Sequence, residues 1–382
     1  MKVLGYVMAN DNFPLLGLSI VHALEHAVDH VLVVSHNQSD STRTDLKKLR
    51  TALKRRITIY DLKGPYFQES TSHISLALTV LKEFDWVYIF DCDEFSIVKS
   101  KKLFKKNLES IPENIDALRY SIEQYIAPND MDENNINDYL RIDVKSVPNI
   151  FYKFDDRILF DELLHQNINF FDIPFPSKII FRAKYFEKIG PGAHNVNLNK
   201  INELILNSAT FHVAHIPMIS LGRLMNRGNH GKLLIEQKYP LWHGWQNQLI
   251  YLMDKNKKLL NFWKMHSVPK KIKDKPMPFA YIIDKSFNFK FKKTLSKFNK
   301  FIINEIKINN TCNPELTDLV RIYEKYKKKY KSLENKIESL ENKIDELSVI
   351  NRNLTNEIKT IKNSKLYCLL LMIRKLIYLY RK

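Results

Sequence analysis

The sequence predicts an α/β fold built on a parallel sheet, and three observations carry that prediction. Short apolar, β-branched runs alternate with stretches of helical spacing over the first ninety or so residues. Each run stops at a polar or acidic cluster, as strands do when their carboxyl ends open onto a ligand site. Only nine glycines occur in 382 residues, and none forms a phosphate-binding loop after the first strand, which excludes Rossmann dehydrogenases and P-loop enzymes.

The elements follow in order. Val3–Met8 reads as a strand ending at Asn10-Asp11, and Pro14 opens a helix carrying Leu15, Leu18, Val21, His22 and His26. His30–Ser35 is a second buried strand, followed by Asn37 to Thr42. Leu46, Leu49 and Leu53 mark the next helix and Ile57–Asp61 the third strand. Ser70–Lys82 is a helix with Ile74, Ala77, Leu78 and Leu81 on one face; Trp86–Phe90 is the fourth strand.

Directly after that strand stands Asp91-Cys92-Asp93-Glu94-Phe95. Side chains two apart on an extended chain point the same way, so Asp91 and Asp93 can converge on one object. Two carboxylates held close repel unless a cation sits between them or one takes a proton. Oxygen ligands that leave positions open for phosphates favour Mg²⁺ or Mn²⁺.

Hydrophobic content of 45% is ample for a core, and Cys92, Cys312 and Cys368 form no metal-ligand spacing, which fits a reducing compartment. The first strand is expected almost at Met1, without a signal peptide, and no apolar run is long enough to span a bilayer. The net charge of +18 is concentrated: Lys255 to Lys300 holds 14 Lys against two Asp. Such a block suits an anionic surface.

The motifs resemble the GT-A-fold glycosyltransferases, specifically the family 2-like group with a D-x-D-E-F motif. The matching residues are Asn10-Asp11, Ser39-Asp40-Ser41-Thr42, Gln68, Asp85-Trp86 before DCDEF, Lys178 to Arg182 with Gly192-Ala193-His194, and Phe211 to Pro217 with Ser220. The likeness runs over residues 1–265. It implies a GT-A mixed sheet flanked by helices, and a hexosyltransferase-like transfer of sugar from a nucleotide-sugar donor to a glycan or lipid-linked acceptor in surface polysaccharide synthesis. Asp40 would then reach the base, with Asn10, Asp11, Gln68 and Lys178 lining the nucleotide pocket. Asp91, Asp93 and His194 would hold Mn²⁺ or Mg²⁺. Relatives of this group invert, so a carboxylate should act as general base, with Glu94, Asp161 and Glu162 as candidates. They work at the cytoplasmic face of a membrane, which places the chain there peripherally.

From Leu319 to Ile361 apolar residues alternate in steps of four and three. Ile337, Ile344 and Ile358 fall at a, Leu333, Leu340, Leu347 and Leu354 at d, with Asn351 the single polar a. This predicts a parallel two-stranded coiled coil, hence a homodimer, on a long C-terminal helix of roughly 60 Å. Residues 366–382 read as an interfacial amphipathic tail. The organisation expected is thus a catalytic domain over 1–265, a basic connector over 266–314, a coiled coil over 315–363 and a tail over 364–382.

Two other functions compete. A nucleic-acid enzyme would need lysines ringing the acidic mouth, yet they gather downstream of Lys255, and no nucleic-acid motif is present, so no nucleic-acid partner is expected. A coiled-coil membrane tether with an inactive domain would tolerate a broken acidic triplet, and this one is intact.

Overall fold

The computed structural model describes the chain except for residues 11–12, 64–67, 81–82, 150–154, 190–195, 199–201, 242–243, 270–276, 303–323, 326–330, 333–334, 337–338, 341–342, 344–345, 347–352, 361–367 and 375–382. The chain divides into two compact units, Met1–Val320 and Arg321–Lys382.

In the first unit, β1 (Val3–Ala9), β2 (His30–His36), β3 (Ile57–Leu62) and β4 (Trp86–Ile89) are joined through the helices α1 (Leu15–His26), α2 (Asp40–Leu53) and α3 (Gln68–Val80). β1 pairs parallel to both β2 and β4, and β2 pairs parallel to β3. β1, β2 and β4 are buried on both faces, so they read as continuous apolar runs rather than alternating ones, while β3 is a half-buried edge strand.

The chain then continues through β5 (Glu94–Val98), α4 (Lys101–Glu109), β6 (Ala117–Ile126), β7 (Val144–Ser146), α5 (Asp156–Leu164) and β8 (Lys178–Arg182). β8 runs antiparallel between β4 and β6, which makes the sheet mixed where the first four strands alone predict a parallel one. β9 (Phe186–Ile189) and β10 (Val196–Leu198) form a separate hairpin, and β11 (Glu203–Ile205) adds to β6. β12 (Phe211–His215) pairs antiparallel with β5 and parallel with β6, and so closes the region behind the acidic motif.

α6 (Leu221–Glu236), α7 (Trp245–Lys255) and α8 (Leu259–Met265) follow, then β13 (Tyr281–Ile283) and α9 (Ser286–Ile302). α9 buries Phe287, Phe291, Leu295 and Phe298. Its seat on α1 is shaped by Gly17, where a Cβ would stand 2.6 Å from the Phe298 ring. Thr294 Oγ1 lies 2.8 Å from the buried His22 Nδ1, so polar contacts reinforce the seam. The compact unit runs to Val320, so residues 281–302 of the stretch expected as a connector are part of it.

Every described residue of the second unit is helical. Leu340, Leu354 and Ile358 of the expected seam are exposed in the single chain, as are Leu369 to Ile373. Their other heptad partners lie outside the described residues. No helix among the described residues is long and apolar enough to cross a membrane.

Candidate functional site

Because β1, β2 and β4 run parallel and in adjacent register, their carboxyl ends form one rim. Tyr6 stands opposite Ile89 and Ala9 opposite Ser35, so Asn10, the Asn37–Asp40 turn and Asp91 leave the sheet side by side. Gln38 ties the rim together by donating from Nε2 to the Ala9 carbonyl at 2.6 Å. Ser39 caps α2, its hydroxyl accepting from the Thr42 amide at 3.3 Å, which leaves Asp40 on the first turn with its carboxylate in solvent, 3.2 Å from Arg43 Nη1. Asn10 is also exposed. Asp11, His194 and the side chain of Gln68 lie outside the described residues.

The acidic motif is a tight turn, closed by the Glu94 amide donating to the Asp91 carbonyl at 3.1 Å. Lys178, at the start of β8, is aimed into it. Its Nζ stands 2.6 Å from Asp91 Oδ2 and 2.6 Å from Glu94 Oε1. The other Glu94 oxygen accepts from the Asp91 amide at 3.1 Å. Both Glu94 oxygens are therefore engaged, and Lys178 and Glu94 are each only 2% exposed while Asp91 is 51% exposed. Burial alone would lower the Lys178 ammonium, but the two carboxylates reverse that and hold its pKa above the ordinary lysine value. Burial pushes Glu94 upward, against the pull of Lys178.

Asp93 makes its contacts with β12 and the residue after it. Its carbonyl accepts from the Ile216 amide at 2.9 Å, and Oδ1 lies 3.7 Å from His215 Nε2. Burial lowers His215 to about 4, so the imidazole is neutral at pH 7. Glu94, His215 and Gln124 stand opposite one another on β5, β12 and β6, a polar row under the turn. His215 Nδ1 and both amide atoms of Gln124 are buried without a hydrogen-bond partner. Buried polar atoms left in this way signal a polar occupant nearby.

Arg223, on the first turn of α6, donates to Cys92 Sγ at 3.3 Å, and burial pushes that thiol up to about 12, an inert group. Ser220 supplies the N-cap of α6, accepting from the Arg223 amide at 3.0 Å. Arg227, one turn on, is consumed by structure: it donates to the Pro217 carbonyl at 2.8 Å and to Gln246 Oε1 at 2.8 Å.

Asp161 and Glu162 lie on α5, the first exposed and the second half-buried, and neither carboxylate is engaged by a partner among the described residues. Trp245 is buried, its ring stacked on Phe175 with centroids 6.4 Å apart, so it belongs to the packing and not to an open groove.

The structure therefore gathers Asp91, Asp93, Glu94 and Lys178 into one cluster, with Asn10 and Asp40 along the same rim. Sequence reasoning missed His215 and Arg223. Strand alternation held the signal for the first, because His212 and His215, three apart on β12, must face opposite sides. His212 goes to Glu123 at 3.3 Å and His215 to Asp93. Arg223 depends on where α6 lands, and nothing local announces it.

A hard divalent ion fits the donor chemistry of Asp91, Asp93 and neutral His215. Among the described residues no three His, Cys, Asp or Glu side chains are grouped to hold one ion. Ligands from the described residues would then number one or two, the arrangement in which phosphates and water complete the shell.

No family model matches the chain, and no curated protein matches it. Among solved structures it is similar to S. aureus TarS 1-349, with 14% identity over 79% of this chain and 81% of that chain at a TM-score of 0.32. The same TarS fragment in complex with UDP-GlcNAc gives 14% over 79% and 82%, with a TM-score of 0.33. The mannosyltransferase PcManGT from Pyrobaculum calidifontis, in complex with GDP-Man and Mn²⁺, gives 12% over 69% and 73%, with a TM-score of 0.31. Superpositions this loose carry nothing about the chemistry, which rests on the residues of the site.

Proposed function

We propose that the chain is a glycosyltransferase of GT-A type, moving a sugar from a nucleotide-sugar donor to an acceptor hydroxyl with a divalent ion at the donor diphosphate. The observation that carries this reading is the acidic turn itself, seated on the carboxyl rim of β1, β2 and β4 and braced by a buried lysine. Asp93 and Asp91 are the residues that would hold Mn²⁺ or Mg²⁺, with His194, outside the described residues, as the further candidate. Such an ion neutralises charge as the diphosphate leaves.

The chain's own residues then divide the work. Lys178 and Glu94 fix the turn so that the Asp91 and Asp93 carboxylates keep their places. Glu94 is a poor general base, because both of its oxygens are engaged and it is out of reach of solvent. Asp161 and Glu162, unengaged and reached by water, are the carboxylates available to take the acceptor's proton in an inverting transfer. Asn10 and Asp40, on the same rim, are placed to meet the nucleoside.

In the second unit we propose that two chains pair through the arm over 315–363. The exposed Leu340, Leu354 and Ile358 fit a seam that another helix covers.

The test is release of nucleoside diphosphate from a panel of nucleotide sugars with Mn²⁺ present. Turnover of at least one donor, abolished by a chelator, is expected. Hydrolysis or transfer that proceeds at full rate without divalent ions would overturn the metal-dependent reading.

A further inference from the structure

The face made by β13 and the outer stripe of α9 leaves large apolar side chains in solvent beside lysines without acidic partners. Ile282 is 47%, Ile283 64% and Phe289 74% exposed, although such residues normally hold the interior. Two residues separate Ile283 from the start of α9, and Phe289 lies one turn in, so the two are within about 15 Å of each other. α9 (SFNFKFKKTLSKFNKFI) contains no carboxylate. Its Phe287, Phe291, Leu295 and Phe298 point inward, so Phe289, Lys292 and Lys297 share the outward side. Lys285, Lys292 and Lys297 make no ion pair among the described residues. Of the nearby carboxylates, Asp284 is taken by Tyr125 Oη at 2.9 Å, the Ser286 amide at 2.8 Å and Lys145 at 3.1 Å, and Glu25 pairs with Lys293 of α9 at 3.3 Å.

We infer that this face docks on an anionic lipid surface. Phe289 and Ile283 enter the headgroup boundary, and Lys285, Lys292 and Lys297 reach the lipid phosphates. An apolar tip flanked by unpaired lysines is what a negatively charged leaflet recognises. Lysine stems add apolar contact while their ammonium groups stay in water. The inference is independent of the transfer chemistry, and its test needs no activity.

Full-length protein is sedimented with neutral vesicles and with vesicles containing anionic phospholipid, across a salt series. Lys292→Ala with Lys297→Ala should weaken anionic binding roughly 30-fold, about fivefold per lysine. Phe289→Ser should weaken it about tenfold. All three positions are exposed, so melting temperatures should not move. Phe289→Trp supplies a depth probe: its added emission should shift to the blue on anionic vesicles and be quenched by brominated acyl chains. Wild-type binding by every variant would overturn the inference, as would an introduced indole that stays in water while the chain is bound, which would assign attachment to residues 366–382. Loss of self-association or of RNA binding in the variants, without loss of vesicle binding, would likewise overturn it and make the face a protein or nucleic-acid surface.

Discussion

The two ends of the acidic turn obey different physics. On the Asp91 side a buried ammonium sits 2.6 Å from two carboxylates, and every Glu94 oxygen is taken. On the Asp93 side the carboxylate is 15% exposed, a neutral imidazole stands 3.7 Å away, and the buried Arg223 and Arg227 guanidinium groups act on it at longer range. One side is a brace with a single ammonium wedged between two carboxylates; the other carboxylate touches no lysine or arginine in an ion pair among the described residues. Substitutions on the two sides should therefore fail in different ways.

The largest effect on stability belongs to the brace. Lys178→Met leaves Glu94 buried without its counter-charge and should cost about 3–5 kcal/mol in urea unfolding. Pairing it with Glu94→Leu should return much of that loss, because the buried charge goes with its partner. If the double variant is no more stable than the single, the two groups are not coupled as described.

A smaller effect, on the other side, depends on pH. Folded His215 titrates near 4, whereas an unfolded histidine titrates near 6.5. Between those values the unfolded chain binds a proton that the folded chain refuses, so stability falls as pH drops from about 6.5 towards 4. The loss should reach roughly 2–3 kcal/mol at pH 4.5. Buried His26 and His266, also lowered to about 4, add to it. His215→Gln should remove one share of this acid sensitivity; equal slopes in wild type and variant would show that His215 is already charged in the folded state.

The brace also marks the limit of what sequence reveals. β1 to β4 were legible to within a residue or two, since β1, β2 and β4 are continuous apolar runs that match their buried setting and β3 is a short, β-branched edge run. The acidic turn was legible because it follows such a run directly. Lys178 could be placed among site residues by resemblance, but not as the cation of Asp91 and Glu94. That contact exists because β8 inserts antiparallel between β4 and β6, a pairing with no local signature. His215 and Arg223 reach the turn in the same non-local way. α9 is a different case. Its Phe287, Phe291, Leu295 and Phe298 recur at steps of four, four and three, a helical stripe that the surrounding lysines masked.

The smallest effect on the first unit should come from removing the arm. Truncation after Asn313 should give a monomer by sedimentation while shifting the domain's unfolding by less than about 0.5 kcal/mol, the range of surface changes. A truncated chain that stays dimeric would move the dimer contact out of the heptads. Asn351→Leu should stabilise the assembly yet loosen its choice of oligomer.

The division of labour within the turn is tested most directly by calorimetric titration of Mn²⁺ in the presence of UDP or GDP, comparing wild type with Asp93→Asn. Removing that charge should abolish nucleotide-dependent Mn²⁺ binding in a chain that stays folded, since Asp93 makes no contact ion pair with a lysine or arginine among the described residues. Mn²⁺ binding at wild-type strength in Asp93→Asn, or a variant that unfolds instead, would contradict it.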